Sequence, residues 1–320
     1  MAVYTQVTEL EVSNCLKNYE IGELVTLKGI AQGVENSNFL LVTTIGKYIL
    51  TLYEKRIKAE ELPWYLDLMG HLVQQGISCP LPVLDKQGVA LTVLAERPAA
   101  IVTFLDGKEA PEITDNHCFL LGKAIADLHH AGESFAQYRK NNVGPDSWQE
   151  LLTKSTGYDQ DEMVHEIQPV LQEILKQWPT EKDNLPVGQI HADIFPDNVF
   201  FKAPYHLSGF IDFYFACTDF LAYDLAIALN AWCFTDDGQC LTGRVNALMK
   251  GYEAVRPLTD QEKRFFPILN MGAAVRFLLT RLHDWIHTPA DALVTPKNPN
   301  PYLYRLRYHQ QTFVASSDDR

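Results

Sequence analysis

The sequence lacks the features that would place the protein in a membrane or outside the cell. No uninterrupted apolar run approaches the roughly 20 residues that a membrane-spanning helix needs. The first residues, MAVYTQVTELEV, do not show the basic and then apolar plan of a signal peptide. The six cysteines form no CxxC pair and several lie in apolar surroundings, which indicates reduced core thiols. We therefore expect a cytoplasmic protein.

Basic residues are scarce. The chain has 27 Lys and Arg against 40 Asp and Glu, which gives a formal net charge of −13. Because affinity for nucleic acid depends on Lys and Arg, this balance argues against a nucleic-acid partner. A cationic or zwitterionic small molecule, or ATP held with magnesium, remains compatible. The 320 residues, 47% of them apolar, are enough for a substantial core and two lobes.

The most specific chemistry lies in residues 187–213, VGQIHADIFPDNVFFKAPYHLSGFIDF. An apolar strand enters a loop that contains His191, Asp193 and Asn198. A short strand, a turn and a second strand follow, and the second strand ends in Asp212. We expect the two carboxylates and the amide to converge at one end of a small hairpin.

This set of residues suits phosphoryl transfer. Asp193 can accept the proton of a hydroxyl, Asn198 can ligate a hard cation through its carbonyl oxygen, and Asp212 can hold the same metals. A turn is the simplest alternative for Asn198 taken alone. His191 is expected to support the loop backbone and not to carry a proton.

The sequence HADIFPDN at 191–198, followed by IDF at 211–213, resembles the catalytic loop and metal-binding strand of the aminoglycoside phosphotransferase-like kinases. The resemblance implies an α+β, protein-kinase-like bilobal fold. Its N-terminal antiparallel β lobe, at 1–106, would contain one helix and bind the nucleotide. Residues 107–320 would form a larger, mostly helical lobe with the catalytic loop and the substrate pocket. ATP and Mg²⁺ are the implied cofactors.

The N-terminal lobe is predicted from alternating strands, LVTLKGI, NFLLVTT and KYILTLYE, followed by a helix at about 59–75. We then expect an edge strand at 83–85 and two further strands. The loop between the first two strands can bring backbone N–H groups to phosphates, although simple turn chemistry is an alternative. The resemblance implies that the segment linking the lobes holds the adenine. The expected nucleotide-binding residues are Gly33, Ser37, Asn38, Thr51, Thr103 and Leu105.

The third strand departs from the family pattern. Kinase-like folds place a Lys or Arg there to face the phosphates, whereas this chain has Thr51. Lys47 and Tyr53 share its face by the two-residue period, and Lys55 and Arg56 follow closely. Either another cation replaces the missing one, or water and the metal do so.

The C-terminal lobe is predicted from helical periodicity. A capping signal at Thr114 or Asp115 begins one helix, and an amphipathic helix spans 162–178. A helix from about Ala222 carries Asp224, which matches an Asp of a family Asp-Leu/Ile-Ala motif and is expected to brace the catalytic loop. A helix N-terminal charge is the alternative. A long helix at about 261–285 and a final helix complete the lobe.

The candidate substrate residues are Tyr214, Asp219, Arg276 and Arg281. The two arginines lie on the apolar helix NMGAAVRFLLTRLHDW, where a guanidinium needs an anionic partner. A substrate carboxylate would serve, and an ion pair with Asp284 is the ordinary alternative.

Three segments, YILTLYEKR, ELPWYLDLMGHLVQQGISCPLPV and IDFYFACTDFLAYDLAIALNAW, resemble the homoserine kinases of this family. The resemblance implies L-homoserine as the acceptor, on the route to threonine, with ATP as donor. A kinase for choline, ethanolamine or an aminoglycoside remains an alternative, as does a non-catalytic ATP sensor, which the uncharged Thr51 would favour. We expect no nucleic-acid or membrane partner. The sequence leaves the oligomeric state open.

Overall fold

The computed structural model describes residues 5–30, 36–54, 58–203, 205–289 and 295–318. The chain divides into two compact units. The first comprises the chain up to Gly107 together with Ser208–Tyr214, and the second comprises Lys108–Leu207 and Phe215–Arg320. The division predicted at residue 106 did not include the return of 208–214 to the first unit.

The first unit contains a five-stranded antiparallel sheet with strand order β1-β2-β3-β5-β4. Every second residue of β2 is buried, as expected for a strand with one face on a core. Strands β4 and β5 are joined by Ala95 and Glu96, whose φ values of 49° and 59° suit a two-residue hairpin turn. The elements of this unit are α1 (Glu9–Leu16), β1 (Leu24–Gly29), β2 (Ser37–Thr43), β3 (Lys47–Leu52), α2 (Leu62–Gln74), β4 (Leu91–Leu94) and β5 (Arg97–Thr103).

The edge strand predicted at 83–85 is wrong. Only an isolated bridge between Pro82 and Val102 forms there, supported by a hydrogen bond from the Val83 N–H to the Ile101 carbonyl. The pairing cannot extend to the following residues because β4 occupies this edge of β5, where Leu91 pairs with Ala100. The Asp85 side chain then accepts N–H groups from two following residues and bends the chain into a turn.

The second unit is mostly helical, as predicted. Helices α3 and α5 begin within two residues of the predicted starts, and Thr114 caps α3 by accepting the His117 N–H. Helix α4 and strand β9 were not predicted, and β9 pairs antiparallel with β6. The elements are α3 (Asp115–Gly132), α4 (Pro145–Lys154), α5 (Asp161–Gln177), β6 (Val187–Ile190), β7 (Val199–Ala203), β8 (His206–Phe210, which crosses the boundary between the units), β9 (Cys217–Phe220), α6 (Leu221–Trp232), α7 (Thr242–Glu253), α8 (Asp260–His287) and α9 (Asn300–Asp318).

Helix α8 is long and apolar enough to cross a membrane by length and composition, with a mean hydropathy of 1.3 over its best 18-residue window. The helix is not an uninterrupted apolar run, because it contains Arg276 and Arg281. In addition, 72% of that window is buried inside the protein. Burial on nearly all sides is typical of a helix at the centre of a folded domain, and it accounts for the apolar composition.

Candidate active site

The loop between β6 and β7 is fixed at its beginning by Asp224, which lies in the first turn of α6 and is fully buried. Its carboxylate accepts the backbone N–H groups of His191, at 2.9 Å, and of Ala192, at 2.8 Å. It also contacts Nε2 of His129 at 3.2 Å. Burial alone would raise the pKa of Asp224, but the contacts with His129 and His191 hold that pKa below its usual value. Asp224 is therefore a charged acceptor for the loop backbone.

Ala192 is held from a second side by Arg276 of α8. Arg276 is 1% exposed, and its guanidinium donates to the Ala192 carbonyl oxygen. It also lies over the rings of Phe277, at 4.4 Å, and Phe215, at 5.4 Å. Ala192 has a φ of 61°, a conformation that costs free energy in a residue with a Cβ. Both of its backbone polar groups are thus bound to charged side chains.

Asp193 follows directly and is positioned by its neighbours. Its N–H donates to Nδ1 of His191 at 3.3 Å, which places the buried imidazole against the loop backbone. Nδ2 of Asn198 donates to the Asp193 carbonyl oxygen at 2.8 Å and to its Oδ2 at 2.9 Å. Because both contacts use the amide nitrogen, the carbonyl oxygen of Asn198 remains for a cation. The geometry orients one carboxylate and one hard oxygen donor together.

Asp212 belongs to the first unit, whereas Asp193 and Asn198 belong to the second. Asp212 follows β8, is exposed, and has a φ of 64°. No group of three or more His, Cys, Asp or Glu side chains among the described residues could hold a metal ion by itself. Magnesium in nucleotide sites commonly has one or two protein oxygens and takes its other ligands from phosphates and water. Asn198 and Asp212 each offer an oxygen of the type that Mg²⁺ prefers, and their joint role stays a prediction.

Tyr214 lies two residues beyond Asp212 and packs within the first unit. Its hydroxyl is 3.0 Å from that of Tyr53, and the two rings meet edge to face at 5.3 Å. Burial raises the pKa of Tyr214 to about 12, and the charge of Asp212 also raises it. Both tyrosines are therefore neutral hydrogen-bonding groups. Tyr214 stays a candidate for substrate contact.

The predicted nucleotide-binding residues of β2 and β3 lie side by side. Asn38 and Thr51 are cross-strand partners, and the Thr51 hydroxyl donates to Oδ1 of Asn38 at 2.8 Å. Thr51 is only 2% exposed. Gly33 lies outside the described residues, as do Lys55 and Arg56, so their contribution stays a prediction.

Sequence reasoning did not single out an ion pair beside these strands. Ser37 donates through its hydroxyl to Glu54 at 2.8 Å, and Glu54 pairs with Arg97 at 3.3 Å. Arg97 begins β5, and no local sequence motif indicates its partner. Arg97 is thus a basic side chain of the first unit, where β3 has Thr51 in place of the Lys or Arg of kinase-like folds.

The remaining predicted residues are distributed over both units. Thr103 ends β5 and exchanges hydrogen bonds with the backbone of Leu81, and half-buried Leu105 follows it. In the second unit, Asp219 on β9 accepts from Nδ2 of Asn141 and from the Phe220 N–H, both at 2.7 Å. Burial raises the pKa of Asp219 above its usual value.

The two arginines of α8 have different environments. Arg276 is enclosed against the catalytic loop, as described above. Arg281 lines an open cavity and lies 4.5 Å over the ring of Tyr302. Of the two, Arg281 is therefore the better candidate for a substrate contact.

The sequence is similar to those of known proteins. A family model described as the phosphotransferase enzyme family matches residues 26–258. A homoserine kinase of Gluconobacter oxydans is 55% identical over 314 residues, covering 97% of this chain and 98% of that protein. A homoserine kinase of Xanthobacter autotrophicus is 51% identical over 322 residues, covering 100% and 98%.

The fold is also similar to that of a solved kinase structure. The solved structure of a microcompartment-associated aminopropanol kinase is similar with a TM-score of 0.71 at 18% identity, covering 96% of this chain and 98% of that one. This likeness confirms the predicted kinase-like fold. Together with the family match and the relatives at 50% identity or more, it shows that the chain belongs to the phosphotransferase enzyme family.

Proposed function

We propose that the chain is a homoserine kinase, which transfers the γ-phosphoryl group of ATP to the side-chain hydroxyl of L-homoserine and forms O-phospho-L-homoserine. The observation that carries the proposal is identity above 50% over nearly the full length of homoserine kinases. The reaction belongs to threonine biosynthesis, and we expect it to occur in the cytoplasm. The aminopropanol kinase, at 18% identity, supports only the fold.

In this mechanism Asp193 orients the acceptor hydroxyl and accepts its proton while the hydroxyl oxygen bonds to the γ-phosphorus and the bond to ADP breaks. Bound Mg²⁺ would neutralise the phosphate charge, with Asn198 and Asp212 as its protein ligands. The amide of Asn198 donates to Oδ2 of Asp193 and so orients this carboxylate. Asp224 and Arg276 fix the backbone from which Asp193 projects.

The test is ADP release from Mg-ATP with L-homoserine, choline, ethanolamine or an aminoglycoside supplied in turn. We expect stimulation by homoserine. Asp193→Asn should lower turnover by roughly 10²–10⁴-fold, the usual scale for a lost acid-base group. The matched control is Asp183→Asn, a partly exposed carboxylate that bonds only with Thr180 in the described structure and should leave turnover unchanged.

Each other result has a defined meaning. Stimulation by an acceptor without a carboxylate would keep the kinase assignment but reject homoserine. ATP binding without turnover on any acceptor would favour the sensor alternative. Near-normal turnover of folded Asp193→Asn would reject the role of Asp193.

A further inference from the structure

An open cavity of about 390 Å³ lies in the second unit beside the loop that carries Asp193. The turn after α6, the C-terminal half of α8 and the beginning of α9 contribute its walls. Lys297 connects the cavity to the loop, since its Nζ is 3.4 Å from Oδ2 of Asp197 and 5.4 Å from the ring centroid of Phe195. The lining includes Asp236, Arg281, Lys297, Asn298, Asn300 and Tyr304.

Positive charge dominates one part of this lining. Of the five N–H donors of Arg281, one contacts the Asn298 carbonyl at 3.4 Å, and the described residues provide no other hydrogen-bond partner for that side chain. Lys297 adds a second cation, and its side chain is 57% exposed. Helix α9 begins at Asn300, where its dipole adds partial positive charge. This part of the cavity suits a carboxylate.

The cavity lining also contains a negative charge. Asp236 is exposed on the turn after α6, and it has no ion-pair partner among the described residues. Burial lowers the pKa of Arg281, while the charges of Asp236 and Asp193 raise it, so both carboxylates lie within electrostatic range of the guanidinium. The cavity therefore combines two cations and one anion near the predicted base.

We propose that this cavity binds the head group of an α-amino acid, with Arg281 and Lys297 on the carboxylate and Asp236 on the α-ammonium group. The inference rests on the proposed function and identifies what selects its substrate. An α-amino acid carries both charges on one carbon, which matches adjacent groups of opposite sign. Choline and ethanolamine carry only a cation, which the two basic side chains would repel.

The test uses three acceptors with the same chain from hydroxyl to head group. L-Homoserine has both charges, 3-amino-1-propanol lacks the carboxylate, and 4-hydroxybutyrate lacks the ammonium group. The wild-type protein should prefer homoserine to both. Arg281→Met keeps an apolar stem over Tyr302 and should lower kcat/KM for homoserine by about 10- to 100-fold, mainly through KM. Its kcat/KM for 3-amino-1-propanol should stay the same or rise.

Asp236→Asn should produce the complementary pattern. We expect a loss of about 10-fold or more in kcat/KM for homoserine and little change for 4-hydroxybutyrate, which has no ammonium group to bind. Two variants remove comparable charges elsewhere. Arg307→Met removes an α9 cation that pairs with Glu166, and Asp237→Asn changes the carboxylate next to Asp236. Both should keep the wild-type preference.

The results separate this inference from the proposed function. If the wild-type protein phosphorylates homoserine but Arg281→Met lowers kcat/KM for homoserine and 3-amino-1-propanol equally, the carboxylate assignment is rejected. If the wild-type protein does not use homoserine, the proposed function itself fails. Arg281→Lys keeps the charge and should restore part of the preference for homoserine, which distinguishes loss of charge from misfolding.

Discussion

At the scale of single residues, Ala192, which precedes the predicted base Asp193, is bound by one acidic and one basic side chain from two helices. The Ala192 N–H donates to Asp224 of α6, and the Ala192 carbonyl oxygen accepts from Arg276 of α8. An alanine keeps the left-handed backbone conformation of Ala192 only where the surrounding structure holds it there. Asp193 therefore projects from a backbone that cannot relax without breaking a buried charged hydrogen bond.

Asp224→Asn should destabilise the protein and slow turnover together. An amide has one acceptor oxygen and would present N–H groups to backbone N–H groups, so one buried donor of His191 or Ala192 would lose its partner. We expect the free energy of unfolding to fall by about 3–5 kcal/mol, as for a buried charged contact that loses one partner. Urea unfolding at pH 7 measures it. Asp127→Asn, on the exposed face of α3, should change it little, and equal values for both variants would contradict the bracing role.

His309 should make the protein sensitive to acid. Burial, with a further contribution from the charge of Arg305, lowers the pKa of His309 to about 3, and its Nε2 lies 3.0 Å from Oδ1 of Asn230. In the unfolded chain its pKa is about 6.5. Between these values the unfolded state binds the proton and the native state does not. The free energy of unfolding therefore falls as pH drops below about 6.5, by at most ~1.4 kcal/mol per pH unit for this group.

His309→Gln isolates that contribution. The variant cannot take up the proton, so its stability should depend less steeply on pH between 6.5 and 4 than that of the wild-type protein. Denaturant unfolding across this range measures both slopes. Parallel slopes would show that His309 titrates normally in the native state.

The loop residues could be predicted from the sequence because phosphoryl transfer requires particular side chains at short spacing. The environment of Arg276 could not. Its partner is a backbone carbonyl 84 residues earlier. Every residue has such a carbonyl, so the residue type does not indicate which one is bound. The sequence predicted an anionic partner for this guanidinium, whereas the structure gives it an uncharged backbone oxygen.

At the scale of elements, helices α3 and α7 approach through paired glycines. A Cβ at Gly122 of α3 would overlap the Leu248 carbonyl oxygen, and a Cβ at Gly251 of α7 would overlap that of Phe119. Both obstacles are backbone atoms, which cannot rotate away. The two helices therefore pack with backbone directly against backbone.

Gly122→Ala and Gly251→Ala should each lower the free energy of unfolding by about 2–3 kcal/mol, because the added methyl group forces the helices apart. Gly70→Ala in α2 is the matched control, since a Cβ there would meet nothing within 4 Å. That change should stabilise the protein by about 0.5–1 kcal/mol through helix propensity. Thermal unfolding shows whether each variant is more or less stable than the wild-type protein. Stabilisation by Gly122→Ala would contradict the close approach of the two helices.

Long periodic elements were the most predictable. Helix α8 was expected at about 261–285 and spans Asp260–His287, because its apolar pattern continues over many turns. Strand β9 has only four residues and exists by pairing with β6, which no local pattern indicates. The prediction of an edge strand at 83–85 was wrong because β4 occupies the edge of β5 with which an apolar run there would have to pair.

At the scale of the whole molecule, the net charge of −13 gives no indication of the charge of the acceptor. Acidic residues outnumber basic ones across the chain, yet Arg281 and Lys297 line one cavity together. Within a Debye length of about 8 Å at physiological salt, these local cations determine the potential that a ligand meets. Composition argues against a phosphate-backbone partner but could not reveal this cavity.

Ligand binding should appear in the stability of the whole chain. A ligand that binds only the native state adds about 2.7 kcal/mol to the free energy of unfolding at 100 times its Kd. We expect a non-hydrolysable ATP analogue to raise the Tm of the wild-type protein, and to raise it further when Mg²⁺ is present. The additional shift reports metal bound together with the nucleotide.

Asp212→Asn should remove the Mg²⁺-dependent shift while keeping the shift caused by the analogue in EDTA. Asparagine tolerates the left-handed conformation that Asp212 adopts, with φ at 64°, so the backbone and the Tm of the unliganded protein should be preserved. The amide lacks the negative charge that favours Mg²⁺. Asp183→Asn should behave as the wild-type protein does. A variant at 212 that keeps the full Mg²⁺-dependent shift would remove Asp212 from the metal site, whatever its turnover.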